Sequence, residues 1–202
     1  MEDGDLEKMS LKFRLISLLS LMVLAIWGHR LFYFYQPSAQ TSRIEALQVG
    51  DLIFRQGKGF WSPYFAGLNS VTGYSHVGVL IQESGDWYVL HADADDLAQV
   101  GGVQKTPLQQ FQSEALTVSV RSNHMPKLQK QAFVRQLELM HGQQLKFDDN
   151  FEIHDGGNKV YCTEYVWLAA KRAGLDDLGE VVTVMGRDVI MVDSIYQSRW
   201  LN

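Results

Sequence analysis

"SHVGVLIQESGDWYVLHAD", residues 75–93, holds two apolar runs, 75–82 and 86–93, around the turn residues Ser84 and Gly85. β-Branched and aromatic residues on both sides of so short a loop signal a β-hairpin. Pairing Gln82 with Trp87 around the loop sets His91 opposite Gly78 and His76 one diagonal step away on the same face. Diagonal neighbours in a sheet lie about 7–8 Å apart, near enough for two imidazoles to meet. Gly78 leaves open the space above the strand that a larger residue would take from His91. A sheet face carrying two titratable rings is the first candidate for chemistry.

Outward from the hairpin, "LQVGDLIFRQ" (47–56) and "ALTVSVR" (115–121) read as further strands. "GGVQKTPLQQF" (101–111) reads as a strand followed by a short helix opening near Thr106-Pro107. "FWSPYFAGLNSVTGY" (60–74) mixes aromatics with Gly and Pro, which suits a loop carrying a short helix that lines a groove. "MPKLQKQAFVRQLELMHG" (125–142) opens on Pro and closes on Gly, an amphipathic helix with Leu128, Ala132, Leu137 and Met140 turned inward. Residues 187–201 suit a strand and a short helix opening at Asp193. The expected class is α+β, an antiparallel sheet packed against helices over residues 47–202.

The single cysteine lies in "KVYCTEYVWLAAKRAG" (159–174). Positions 162, 166, 169, 170 and 173 are all Cys, Val or Ala at helical spacing, with Gly174 as the stop, so Cys162 begins a buried helical stripe. Free cysteine commonly packs as a small hydrophobe. At a helix amino terminus, however, orphan N–H groups and the helix dipole favour a thiolate, and a nearby imidazole favours it further. Cys162, His76 and His91 can therefore be nucleophile, base and orienter, or a buried filler with two sheet histidines; spacing alone leaves both open. The set lacks the short-spaced ligand pair common in zinc and copper sites, so no metal and no cofactor are expected. "FDDNFEIHDGG" (147–157) departs from calcium-loop spacing and reads as a structured loop.

One cysteine in 202 residues excludes an intrachain disulfide framework. The formal charge of −5 falls wholly after residue 40, and no basic stripe invites nucleic acid. Residues 15–35, "LISLLSLMVLAIWGHRLFYFY", are long enough to span a hydrocarbon core of about 30 Å if Arg30 reaches the interface. Without a small-residue cleavage site after it, this run is expected to be an uncleaved anchor rather than a signal peptide. The expected organisation is a cytoplasmic segment 1–14, the anchor 15–35 and a linker 36–46. Lys8, Lys12 and Arg14 before the span place the following domain outside the cytoplasm, in a bacterium the periplasmic side of the inner membrane. The start is open between Met1 and Met9, and oligomeric state is unreadable.

"VGDLIF" (49–54), "YSHVGVLI" (74–81), "YVLHA" (88–92), "TPLQQF" (106–111), "FDDNF" (147–151) and "YCTEYVWLAA" (161–170), in this order, resemble the YiiX/YebB-like cysteine hydrolases. These are circularly permuted members of the NlpC-type papain-like superfamily. The resemblance implies Cys162 as nucleophile and His76, which precedes it in the chain as in the permuted branch, as base. The third position carries His91 where many such relatives carry Glu, with Asp93 on the same face as fallback orienter. Tyr74 and Tyr161 flank the pair as candidates for oxyanion or substrate positioning.

The expected activity is hydrolysis of an amide, a cell-wall peptide or similar, through a Cys-acyl intermediate without a cofactor. Hydrolysis or transfer of an acyl lipid at the membrane is the alternative, and a non-catalytic module with the same fold is an alternative of another class.

Overall fold

The computed structural model describes residues 47–59, 62–94 and 101–202. The expected cytoplasmic segment, anchor and linker (1–46) lie outside the described residues, among which no helix is long and apolar enough to cross a membrane.

Among the described residues, nine strands and five helices follow one another: β1 Leu52–Gly57, α1 Ser62–Leu68, β2 His76–Glu83, β3 Asp86–Asp93, β4 Gly102–Pro107, α2 Leu108–Ser113, β5 Ala115–Arg121, α3 Lys127–Gly142, β6 Lys146–Phe147, β7 Lys159–Val160, α4 Cys162–Arg172, β8 Val181–Val184, β9 Arg187–Ile190 and α5 Val192–Tyr196. Seven strands form one sheet in the order β5-β1-β2-β3-β4-β6-β7, and β8 and β9 pair apart as a hairpin. All pairs are antiparallel except β6 with β7, so the sheet is mixed rather than antiparallel throughout.

The central hairpin has the expected register, Gln82 opposite Trp87 and Val79 opposite Leu90. Its loop is Ser84-Gly85 with both φ positive, 52° and 93°, the two-residue turn whose twist matches flanking strands. Strand alternation then sorts the side chains to two faces. Leu52, Phe54, Val77, Val79, Ile81, Leu90 and Ala92 share one core with Phe133, Leu137 and Met140 of α3 and Tyr165, Val166, Ala169 and Ala170 of α4. Each large apolar side chain buried there contributes roughly 1.5–3 kcal/mol. The Tyr165 hydroxyl donates to the Leu137 carbonyl at 2.7 Å, tying α4 to α3. Ile53, Leu80 and Val89 point the other way, into a smaller core closed by Phe111 of α2.

One local expectation is corrected, and one strand is added that the sequence pattern did not mark. Leu128, expected inward, is 79% exposed, because the buried stripe of α3 runs through Phe133, Leu137 and Met140. "VVTV" (181–184) is a strand, turned back on β9 by Met185-Gly186 with φ of 51° and 80°.

Candidate active site

β2 and β3 present His76 and His91 on the face that also carries Leu80 and Val89. The His76 Nε2 to His91 Nδ1 distance is 2.8 Å, and the rings meet edge-on with centroids 5.0 Å apart. A Cβ on Gly78 would fall 2.3 Å from Val89 Cγ1 and 3.2 Å from His91 Cβ, so only glycine leaves His91 its place. Phe111 packs on both rings, with centroids 5.8 and 5.1 Å away. Both histidines are buried, His76 at 8% exposure and His91 at 1%. Burial first, then the Arg55 cation, lowers His76 well below its ordinary value; burial and the neighbouring His76 do the same to His91. Both rings are therefore neutral at pH 7.

Cys162 opens α4. The helix starts there because Tyr161, at φ −97° and ψ 172°, leaves β7 in extended geometry. Lys171 and Arg172 supply a basic last turn, which complements the dipole. The ladder between β2 and β3 ends at Val79 and Leu90, and the backbone N–H of Val77, the residue after His76, donates to the cysteine sulfur, as does Thr163 N–H. The sulfur is thus held beside the strand that carries His76, with no thiol–imidazole hydrogen bond among the described residues. His76 commits Nε2 to His91, which leaves Nδ1 as its free ring nitrogen.

Against the expected thiolate, burial pushes the Cys162 thiol up to about 12, outweighing the two N–H donors, and the Asp93 charge adds to the rise. The cause is desolvation of the anion, which the helix start offsets only in part.

Asp93 contacts His91 rather than His76, with Oδ2 3.8 Å from His91 Nδ1. That oxygen is already engaged by Arg55 at 2.7 Å, while the other arm of Arg55 reaches Glu114 at 2.9 Å and the guanidinium lies 4.2 Å over the Phe111 ring. Burial raises the Asp93 carboxyl, against the pull of His91 and Arg55. Sequence reading missed Arg55; the available signal was its place two residues after Ile53, on the same strand face.

Tyr161 is 3% exposed, its hydroxyl accepts the Ile190 N–H at 2.9 Å, and its ring packs on Phe151. Tyr74 packs between Phe54 and Tyr196, with its hydroxyl toward Ser119. Both tyrosines sit beside the pair in sequence, yet in space their hydroxyls are turned to structural partners. Hollows along α3, lined by residues such as Gln131 and Arg135, hold none of these groups; the chemistry rather than the concavity marks the site.

Glu164, also missed, is 1% exposed and accepts the Tyr161 N–H at 3.4 Å. Burial pushes its carboxyl up to about 8, with Asp148 and Asp155 adding to the rise. The unfolded chain releases this proton near the ordinary value of about 4.3, so its contribution to stability is full below that and is lost as pH rises toward the folded value. Glu164→Gln keeps an acceptor for Tyr161. Its urea midpoint should gain on the wild type between about pH 5 and about pH 9; a pH-independent difference would contradict the assignment.

A helix-start thiol packed against a sheet strand that bears an imidazole is the frame of papain-like hydrolases, here with the histidine strand ahead of the cysteine helix in the chain. The chain belongs to the family of permuted papain-like amidase enzymes, YaeF/YiiX, C92, which matches it over residues 46–191, and it is accordingly a hydrolase of the amidase type. Its fold is similar to that of the metalloprotein YiiX from Escherichia coli O157:H7, with TM-score 0.63 and 22% identity, covering 77% of this chain and 94% of that one. No curated protein matches the chain.

The name of that neighbour raises the question of a cation. His76, His91 and Asp93 each offer a donor atom, all within 4.8 Å of one another. Those donors are spoken for, since the two imidazole nitrogens bond each other and Asp93 Oδ2 bonds Arg55. A fixed guanidinium beside the carboxylate repels a second cation, so the residues as arranged do not fit a divalent metal.

Proposed function

We propose that this protein cleaves an amide by nucleophilic catalysis: Cys162 attacks the carbonyl, His76 Nδ1 takes the thiol proton and returns it to the leaving amine, and His91 holds the His76 ring. The observation that carries this reading is the 2.8 Å His76–His91 pair on the strand whose next N–H holds the Cys162 sulfur. With both groups neutral at rest, the proton moves as the S–C bond forms, so a preformed ion pair is not required. The Cys162 N–H at the helix start is the donor best placed for the developing oxyanion, since Tyr161 and Tyr74 are otherwise engaged. Water then cleaves the thioester with His76 as base.

A peptide amide of the cell wall is the substrate we favour, in keeping with a domain held outside the cytoplasm by an anchor over 15–35. One observation favours an acyl substrate at the membrane as a second reading. α1 lies beside the site, with Ser62 Oγ 3.2 Å from Ser75 Oγ and Phe65 against Phe151, and it exposes Tyr64, Leu68 and the following Val71.

The catalytic reading is tested by mass spectrometry of the protein mixed with a peptide amide or an acyl ester and quenched. A covalent acyl adduct on Cys162, absent from Cys162→Ala, is expected from one of the two; no adduct and no turnover would leave a binding module instead. The anchor is tested by fractionation: the full chain should stay with membranes in high salt and leave them only in detergent.

A further inference from the structure

We propose that Thr106 is a positioning residue that fixes which nitrogen of His91 carries its proton and, through it, keeps His76 a base; this rests on the hydrolytic reading above. Thr106 lies on β4, opposite Val89 and on the same face as His91. Its Oγ1 is 2.9 Å from His91 Nε2, it is 7% exposed, and it has no other side-chain partner among the described residues. Thr106, His91 and His76 thus form one buried chain of two hydrogen bonds.

Each of those bonds holds one proton, so the neutral chain has two arrangements. In the first, His91 Nε2–H donates to Thr106 Oγ1, His91 Nδ1 accepts the Nε2–H of His76, and His76 Nδ1 is a free lone pair. In the second every bond is reversed: Thr106 O–H donates to His91 Nε2, His91 Nδ1–H donates to His76 Nε2, and the His76 proton sits on Nδ1, where no base remains. Only the first arrangement accepts a thiol proton directly. The imidazolium then formed donates from both nitrogens and needs His91 Nδ1 as an acceptor.

The surrounding charges decide what Thr106 must do. Asp93 Oδ2, 3.8 Å from His91 Nδ1, draws a proton to that nitrogen and so favours the second arrangement. Arg55 on the same oxygen at 2.7 Å, itself shared with Glu114, weakens that pull. The Thr106 hydroxyl can donate or accept at Nε2; the role proposed for it is acceptor, which completes the bias toward the first. A β-branched threonine has few rotamers, which keeps Oγ1 aimed at the ring.

Histidine tautomers in the full chain are read by ¹⁵N NMR at neutral pH, alongside the rate of Cys162 alkylation by iodoacetamide. The wild type should carry protons on His91 Nε2 and His76 Nε2. Thr106→Val should move the His91 proton to Nδ1 and slow alkylation by about tenfold or more, a part of what a positioned base contributes. Thr106→Ser should restore both. A His91 Nδ1 proton in the wild type, an unchanged tautomer in Thr106→Val, or a changed tautomer without slower alkylation would each overturn the proposal. The tautomers are read without turnover, so a failed hydrolytic reading, with no acyl adduct on Cys162, shows separately from a failed tautomer assignment.

Discussion

His76→Ala is expected to lower the hydrolysis of a peptide amide by about 10²–10⁴-fold, the range a positioned general base contributes. Cys162→Ala should abolish turnover, and the double variant should be no worse than Cys162→Ala alone, because nucleophile and base act as a unit. The loss falls on kcat, since His76 is buried and, as the base, interacts with the proton in flight rather than with bound substrate. The pH profile makes the prediction specific. A base works only when neutral, and burial with the Arg55 cation holds His76 well below its ordinary value. Activity should therefore persist as pH falls below about 6.5 and decline only through the lowered value. An acid limb at or above the ordinary imidazole value would show that the ring is wetter or closer to an anion than the structure has it. Circular dichroism of His76→Ala guards against a trivial loss by unfolding.

The histidine pair was legible before any coordinates because a two-residue loop fixes strand register, and register fixes side-chain parity. Ser84-Gly85 placed Gln82 on Trp87, and the rest of the hairpin followed. The stripe of α4 was equally legible, since Val166, Ala169 and Ala170 repeat at helical spacing and are buried. What brings Cys162 to Val77 was not: it depends on where the β2–β3 ladder stops and on how α4 seats against α3, both tertiary. The two-residue pair β6–β7 is too short to show periodicity, and its parallel direction made the sheet mixed. The burial that opposes a thiolate went unread for a related reason, because helix position is local while desolvation belongs to the whole fold. Arg55 and Thr106 went unread since each looks like an ordinary strand residue until its neighbours are known. Their partners, Asp93, Glu114 and His91, lie 15 to 59 residues away in the chain.

Arg55→Met is expected to destabilise the fold by about 1–3 kcal/mol, between the values for exposed and buried ion pairs, because Arg55 is buried while Asp93 is 28% exposed. Three features set that size. Arg55 is 6% exposed, its contact with Asp93 is 2.7 Å, and it also donates to the Phe111 carbonyl at 3.2 Å. The Glu114 pair adds little, because that carboxylate is on the surface, where ion pairs contribute about 0–1 kcal/mol. Arginine already leaves Nε buried without a partner, so methionine, of similar length, removes one unfavourable group along with the favourable ones. Most of the loss therefore comes from the Asp93 carboxylate left without its cation. Asp93→Asn in the Arg55→Met background should return part of the stability, whereas Asp93→Asn alone should cost some, and the urea midpoints of the four proteins give the coupling. The catalytic consequence has a fixed sign. Removing the cation that lowers both His76 and His91 raises both, so the acid limb of hydrolysis should move to higher pH. It should also free Asp93 to draw the His91 proton to Nδ1, so that Arg55→Met shares the slower alkylation expected of Thr106→Val. Strand β1 thus enters the reaction through a residue that touches neither thiol nor substrate, and a variant that lost stability without moving the limb would confine Arg55 to the scaffold.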